Sequence, residues 1–271
     1  MHASRNSHTA TLLPNGNVLV AGGFSGGTLS SVEVYDRLTG TWTTTSALTA
    51  NCFHHTATLL ANGRVLAAGS WVRTRLLNSP RYAGGSTLLP DGNVLYVGGF
   101  SSNFLNEAEV YDSVLGKWTL VEGMKNAGDV LTATLLFNGK VLVVGGYDGF
   151  EFVADSELYD PVTARWTTSG ALNAPRLSHT ATLLLDGKVL VAGGEGTLVR
   201  ATNSAELYDP IGARGPPPTH CPSRFPVTRP LYSRTARCWS PAAMAPTELL
   251  PGRKYSIRRA DPTENGRRLP R

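Results

Sequence analysis

The chain has 271 residues, 41% of them hydrophobic and 17% charged, with 29 glycines. That length holds one large all-β domain or two ordinary domains around a real core, and no 18-residue apolar run is present to make a membrane-spanning helix. The net charge of +5 sums two unlike compositions: residues 1–212 carry 13 Lys/Arg against 17 Asp/Glu, whereas residues 213–271 carry 12 against 3, with 11 of the 17 prolines.

The opening residues Met1, His2, Ala3, Ser4 and Arg5 lack the apolar stretch of a secretory signal. They enter a repeat at once, as expected of a chain that begins part-way through a longer gene. An apolar segment, a Gly-containing turn and a second apolar segment open the pattern as TATLLPNGNVLVAGG (9–23). It recurs as TATLLANGRVLAAG (56–69), GSTLLPDGNVLYVGG (85–99), TATLLFNGKVLVVGG (132–146) and TATLLLDGKVLVAGG (180–194). Asn15-Gly16, Asn62-Gly63, Asp91-Gly92, Asn138-Gly139 and Asp186-Gly187 predict five β-hairpins with two-residue type I′ turns. Third segments follow as SVEVYD (31–36), EAEVYD (107–112), DSELYD (155–160) and NSAELYD (203–209), whose alternation marks half-buried strands. Six residues beyond the Asp, Trp42, Trp118 and Trp166 each open a Thr-containing fourth strand. Each unit is thus a four-stranded antiparallel sheet of about 47 residues.

The pattern resembles the Kelch repeat across residues 1–212. The resemblance is carried by Gly22, Gly23, Gly98, Gly99, Gly145, Gly146, Gly193 and Gly194, by Tyr35, Tyr111, Tyr159 and Tyr208, and by the three tryptophans. It implies an all-β propeller of blades stacked face to face around a channel, in a superfamily shared with galactose oxidase. At the glycines a Cβ would block close backbone approach, and the Tyr and Trp rings are expected between blades, burying ~150–250 Å² each. Blades are placed at about 8–50, 55–80, 84–125, 131–172 and 179–212, the second truncated and the last incomplete, with closure of the ring left open. In the second, Gly69 precedes the next glycine pair by only 29 residues, and Leu77-Asn78-Ser79-Pro80-Arg81 matches Leu172-Asn173-Ala174-Pro175-Arg176, so its outer hairpin is missing.

Residues 213–271 read as a disordered, basic, Pro/Arg-rich tail. Back-translated in a shifted frame, Arg214-Gly215 permits a Trp codon six residues after Asp209, and Tyr232 through Ala243 permits a further hairpin ending in paired glycines. The tail is therefore expected to be the same repeat after a frameshift. Its arginines are dispersed among prolines without aromatic interleaving, which speaks against a nucleic-acid arm.

His8, His55 and His179 share one repeat position, where the other units have Gly84 and Leu131. They are expected to hydrogen-bond their own first strands, since no carboxylate recurs beside them to orient metal-ligating imidazoles. Glu33, Glu109, Glu157 and Glu206 recur two residues before each Tyr, and Arg5, Arg81 and Arg176 three before the His position. Groups that repeat in unit after unit are read as scaffold, so no catalytic, metal or cofactor site is assigned. The loops after the paired glycines vary and carry Phe24, Phe100, Phe104, Tyr147, Asp148 and Phe150, the candidate binding surface.

The expected function is a non-catalytic scaffold binding a protein or carbohydrate, as part of a larger bacterial-type propeller. The Thr- and Gly-rich repeats resemble extracellular propellers. One alternative is a galactose-oxidase-like oxidoreductase; that chemistry implies Tyr and His copper ligands and a Cys–Tyr crosslink, and Cys52 is the one cysteine of residues 1–212. The other is a gene fragment without function of its own.

Overall fold

Each hairpin begins as a pair of short β-branched and leucine-rich segments joined through one obligatory left-handed residue. In the computed structural model, which describes residues 1–69, 77–197, 201–210 and the backbone of 219–220, β1 (Thr9–Leu12) and β2 (Val18–Ala21) pair antiparallel. Only Gly16 has positive φ in their turn, and its N–H donates to Leu13 O while Leu13 N–H donates to Asn17 O. The connection is therefore a three-residue loop closed by a Gly bulge, not the type I′ turn expected from Asn-Gly. Type I′ would need positive φ at Asn15 as well as at Gly16, and the hairpins that carry Ala61, Phe137 or Leu185 in place of Pro14 close in the same way. Asn15 Oδ1 then accepts from Asn17 N–H, and Asn62, Asp91, Asn138 and Asp186 repeat this bond in the other hairpins.

The first blade adds β3 (Val32–Asp36) and β4 (Thr41–Thr45) in the order β1-β2-β3-β4. The second shows only β5 (Thr56–Leu59) and β6 (Val65–Ala68) among the described residues. The third is built from β7 (Gly85–Leu88), β8 (Val94–Val97), β9 (Ala108–Asp112) and β10 (Lys117–Val121). The fourth comprises β11 (Thr132–Leu135), β12 (Val141–Val144), β13 (Asp155–Asp160) and β14 (Arg165–Ala171). Ahead of the fifth, β15 (Arg176–Leu177) pairs with β18 (Glu195–Gly196). The fifth sheet itself holds β16 (Thr180–Leu183), β17 (Val189–Ala192), β19 (Ser204–Tyr208) and β20 (Thr219–His220). β20 lies past residue 212, where the repeat pattern ends the blade. Strand pairing uses backbone groups, so an edge accepts a segment that carries no repeat residue. The rest of 213–271, with its frameshift reading, lies outside the described residues. So does the second of two units in the chain, Ser240–Arg271.

First strands touch first strands in series: β1 on β5, β5 on β7, β7 on β11 and β11 on β16. This is the propeller arrangement, with the axis on the first-strand side. The core lies between blades. Leu95, Val97 and Ala108 of the third pack with Val141, Val143 and Tyr159 of the fourth, and Leu142 and Val144 of the fourth with Val189, Val191 and Tyr208 of the fifth. Trp118 joins Ala68, Leu77 and Tyr96 at the second–third junction. Tyr35–Trp42, Tyr111–Trp118 and Tyr159–Trp166 are direct cross-strand pairs with ring centroids 5.2, 5.2 and 5.0 Å apart. No described helix is long and apolar enough to cross a membrane.

Candidate binding face

Every blade is entered through a short lead-in segment that is bound on both sides. The second glycine of each pair faces its own lead-in: a Cβ on Gly23 would lie 2.6 Å from Asn6 O, and one on Gly99 2.6 Å from Tyr82 O. The first glycine faces the next blade: a Cβ on Gly22 would meet Cys52 O at 2.6 Å and His55 Cε1 at 2.8 Å, and one on Gly145 would meet His179 Cε1 at 2.5 Å. Both have positive φ, so neither space nor backbone admits another residue.

His55 and His179 are junction residues. Nε2 of His55 pairs with Thr9 Oγ1 of the preceding blade at 2.9 Å, and His179 Nε2 with Thr132 Oγ1 at 2.9 Å. They bond the neighbouring first strand rather than their own, because the first glycine lets the imidazole through. Burial holds His55 and His179 down at about 4, so both are neutral at pH 7. Leu131 fills the same slot against Gly98; at Gly84 the ring of Tyr96 takes it, its hydroxyl accepting from Gly84 N–H.

The glutamates and arginines form a buried lattice. Glu206 accepts from Asn173 N–H, Asn173 Nδ2 and Ala174 N–H, and pairs with Arg176 Nη2 at 2.7 Å. Glu109 does the same with Asn78, Ser79 and Arg81, and Glu33 with His2, Ala3 and Arg5. Burial raises the Glu33 carboxyl, but the N–H donors of His2 and Ala3, with the His2 and Arg5 side chains, outweigh it and hold the group at about 2. Cys52 is buried with Sγ donating to Ala50 O, and among the described residues no cluster of three or more His, Cys, Asp or Glu is placed to hold a metal.

Immediately after the glycines the chain turns back along the lead-in segment. Phe24 bridges Asn6 and Thr28, Phe100 bridges Tyr82 and Phe104, and Tyr147 bridges Asp129 and Phe152. These bridges line up a row of seven rings. Centroids run Phe24–Phe53 6.3 Å, Phe53–Tyr82 6.3 Å, Tyr82–Phe100 5.7 Å, Phe100–Phe104 4.9 Å, Phe104–Tyr147 5.3 Å and Tyr147–Phe152 5.7 Å. The rings cross four blades and stay partly exposed.

The structure thus brings together Phe24, Phe100, Phe104 and Tyr147 of the candidate surface, and adds Phe53, Tyr82 and Phe152. Phe150 is 94% exposed and stands outside the ring contacts. Asp148 caps its own turn, accepting from Phe150 and Glu151 N–H, which lowers its carboxyl. Asp129, bridged to Tyr147, has its carboxyl pushed up to about 6 by burial.

Axially, one further chain of bonds joins the blades. His54 N–H donates to Ser7 O (3.2 Å), Ala83 N–H to His54 O (2.9 Å), Val130 N–H to Ala83 O (2.6 Å) and Ser178 N–H to Val130 O (3.3 Å). All five residues have φ between 50° and 57°.

Three segments, residues 5–49, 81–125 and 131–172, match the Kelch motif family. No curated protein sequence matches the chain. Among solved structures, that of YjhT aligns over 75% of this chain and 81% of its own with a TM-score of 0.61 at 13% identity, a likeness of fold. Three matched motifs, each a four-stranded blade with its glycine pair and Tyr–Trp pair in place, make this chain a member of the Kelch-repeat β-propellers.

Proposed function

We propose that the chain is a non-catalytic binding scaffold whose ligand, a protein or a glycan, lies across the aromatic row of blades one to four. The observation that carries this reading is the row itself: seven half-buried rings on one side of a rigid sheet stack. Aromatic rings with one edge wet supply large contact area at low entropic cost, which suits both peptide side chains and sugar faces. Glu33, Glu109, Glu206, Arg5, Arg81, Arg176, His55 and His179 are engaged in bonds within and between blades, which supports binding over catalysis.

The test is a defined array of glycans and displayed peptides probed with the full 271-residue chain and with Phe24→Ala/Phe53→Ala. Phe24 is 40% exposed, so this double variant trims the row where the core is least involved. Binding that falls at least tenfold while the melting temperature holds supports the row. Ligands bound equally by both forms would place recognition elsewhere.

A further inference from the structure

The arginine position of the lattice is filled in the first, third and fifth blades, and in the fourth it is Gly128. What the arginine does is seen in its sisters. Arg176 Nη1 donates to Gly193 O (3.0 Å) and Ser204 O (3.2 Å), and its Nη2 to Ser204 Oγ (3.0 Å) and Glu206 Oε1 (2.7 Å). Arg5 repeats the set on Gly22 O (2.7 Å), Ser31 O (2.9 Å), Ser31 Oγ (3.0 Å) and Glu33 Oε1 (2.7 Å).

The fourth-blade counterparts of those acceptors are Gly145, Asp155 and Glu157, and all three line a cleft of about 280 Å³, open mouth included, beside Gly128. Glu157 is 5% exposed. Its carboxylate accepts from Lys125 N–H (2.9 Å) and Asn126 N–H (3.1 Å), as the sister glutamates accept from their lead-in segments. Among the described residues no ion pair joins it to a cation. Where the first and fifth blades have Ser31 and Ser204, this one has Asp155, a second negative charge at the mouth. Met124, Leu131, Val143 and Val153 form apolar walls.

We infer that this cleft binds a guanidinium group from outside the chain, seated on Glu157, Asp155 and the Gly145 carbonyl as Arg5 and Arg176 are seated in their own blades. A planar, weakly hydrated cation with forked N–H donors suits apolar walls and in-plane acceptors, whereas an ammonium or a hard metal ion would have to shed tightly held water. The guanidinium comes either from an arginine side chain of a partner or from a free guanidino compound. The inference stands apart from the aromatic row.

The test follows amide chemical shifts of the full chain during titration with N-propylguanidinium, with butylammonium and sodium chloride at matched ionic strength as controls. Saturable shifts centred on Gly128 and Val153 are expected, at least tenfold weaker with butylammonium. Gly128→Arg supplies the missing side chain; a Cβ there has 3.6 Å to its nearest neighbour, Tyr147 O, and no positive φ to oppose it. That variant should lose the saturable response and melt higher than the wild type. Glu157→Gln should weaken binding at least tenfold, and if it does not fold, Gly128→Arg decides. An Arg-containing peptide that binds at least as tightly as N-propylguanidinium, with its Lys twin silent, identifies a partner's arginine. A silent Arg peptide beside a binding N-propylguanidinium identifies a free small molecule. No saturable response, an equal response to butylammonium, or an unchanged response in Gly128→Arg would overturn the inference.

Discussion

Across the junction of the fourth and fifth blades, Thr132 Oγ1 lies 2.9 Å from Nε2 of the buried His179. Burial first, then the Arg176 charge, holds this imidazole down at about 4, against ~6.5 in an unfolded chain. Between those values the unfolded state binds the extra proton, so stability present at neutral pH is lost as pH falls from about 6.5 toward 4. His55 acts in the same direction at the first junction. His179→Leu, the residue type that Leu131 already supplies in a sister blade, should therefore do two things. It should cost about 1 kcal/mol at pH 7 through the lost hydrogen bond, and it should shallow the fall in melting temperature between about pH 7 and pH 4.5. Melts of both forms across that range check it; an unchanged slope would mean that the imidazole is not the acid-sensitive group.

Asp129 works against the histidines. Burial pushes its carboxyl up to about 6, whereas an unfolded Asp titrates near ~3.9. The folded state holds the extra proton between those values, so the contribution of Asp129 is favourable at low pH and is lost as pH rises through 6. Asp129→Asn should raise the melting temperature at pH 7 and leave it unchanged near pH 3.5. The gain should stay below about 1 kcal/mol because the group is partly solvated. A loss at pH 7 would mean that the carboxylate has a favourable partner on the aromatic row.

Arg176 and Glu206 are each 1% exposed and 2.7 Å apart. Deleting one partner leaves a buried, uncompensated charge, which costs about 3–5 kcal/mol, so Arg176→Ala should shift the urea midpoint of the full chain strongly downward. Arg176→Lys should recover only part, because a single ammonium cannot reach the four acceptors that the guanidinium fork holds. A shift under about 1 kcal/mol in Arg176→Ala would show that Glu206 finds water or a proton as easily as a guanidinium.

Much of this was legible in the sequence because it repeats. The hairpins, the Tyr–Trp pairs and the glycine pairs stand where the pattern puts them. The match of Leu77-Asn78-Ser79-Pro80-Arg81 to Leu172 through Arg176 is upheld by chemistry, since Asn78 and Asn173 bond Glu109 and Glu206 in the same way. The turn type is not legible from Asn-Gly or Asp-Gly alone, because a three-residue loop with a Gly bulge places its glycine in the same left-handed region. The candidate site was half legible. Phe24, Phe100 and Tyr147 follow glycines and could be found by position, but Phe53 and Tyr82 occupy a slot that Asn6, Asp129 and Leu177 fill in other blades. Only the backbone bridges show that this slot lies beside the loops. The Thr–His bonds cross blades, and sequence periodicity carries no record of which blade a side chain enters.

Least legible is the axial chain of bonds, since Ser7, His54, Ala83, Val130 and Ser178 share a conformation and no chemistry. Its left-handed φ is imposed by position: each residue accepts from the next blade or donates to the one before. For Val130, at φ 52°, the branched Cβ crowds the backbone in a region that costs an L-residue roughly 1–2 kcal/mol, and β-branching makes it worse. Val130 belongs to none of the buried core clusters, so little packing is lost on changing it. Val130→Asn keeps the N–H to Ala83 O and the carbonyl to Ser178 while tolerating the left-handed region. It should stabilise the chain by about 1 kcal/mol, read as a higher urea midpoint with an unchanged slope. Ala83→Asn, without a branch to relieve, should gain less. If Val130→Asn destabilises instead, the valine side chain is packed more profitably than its backbone is strained, and the axial bonds are not what fixes its conformation.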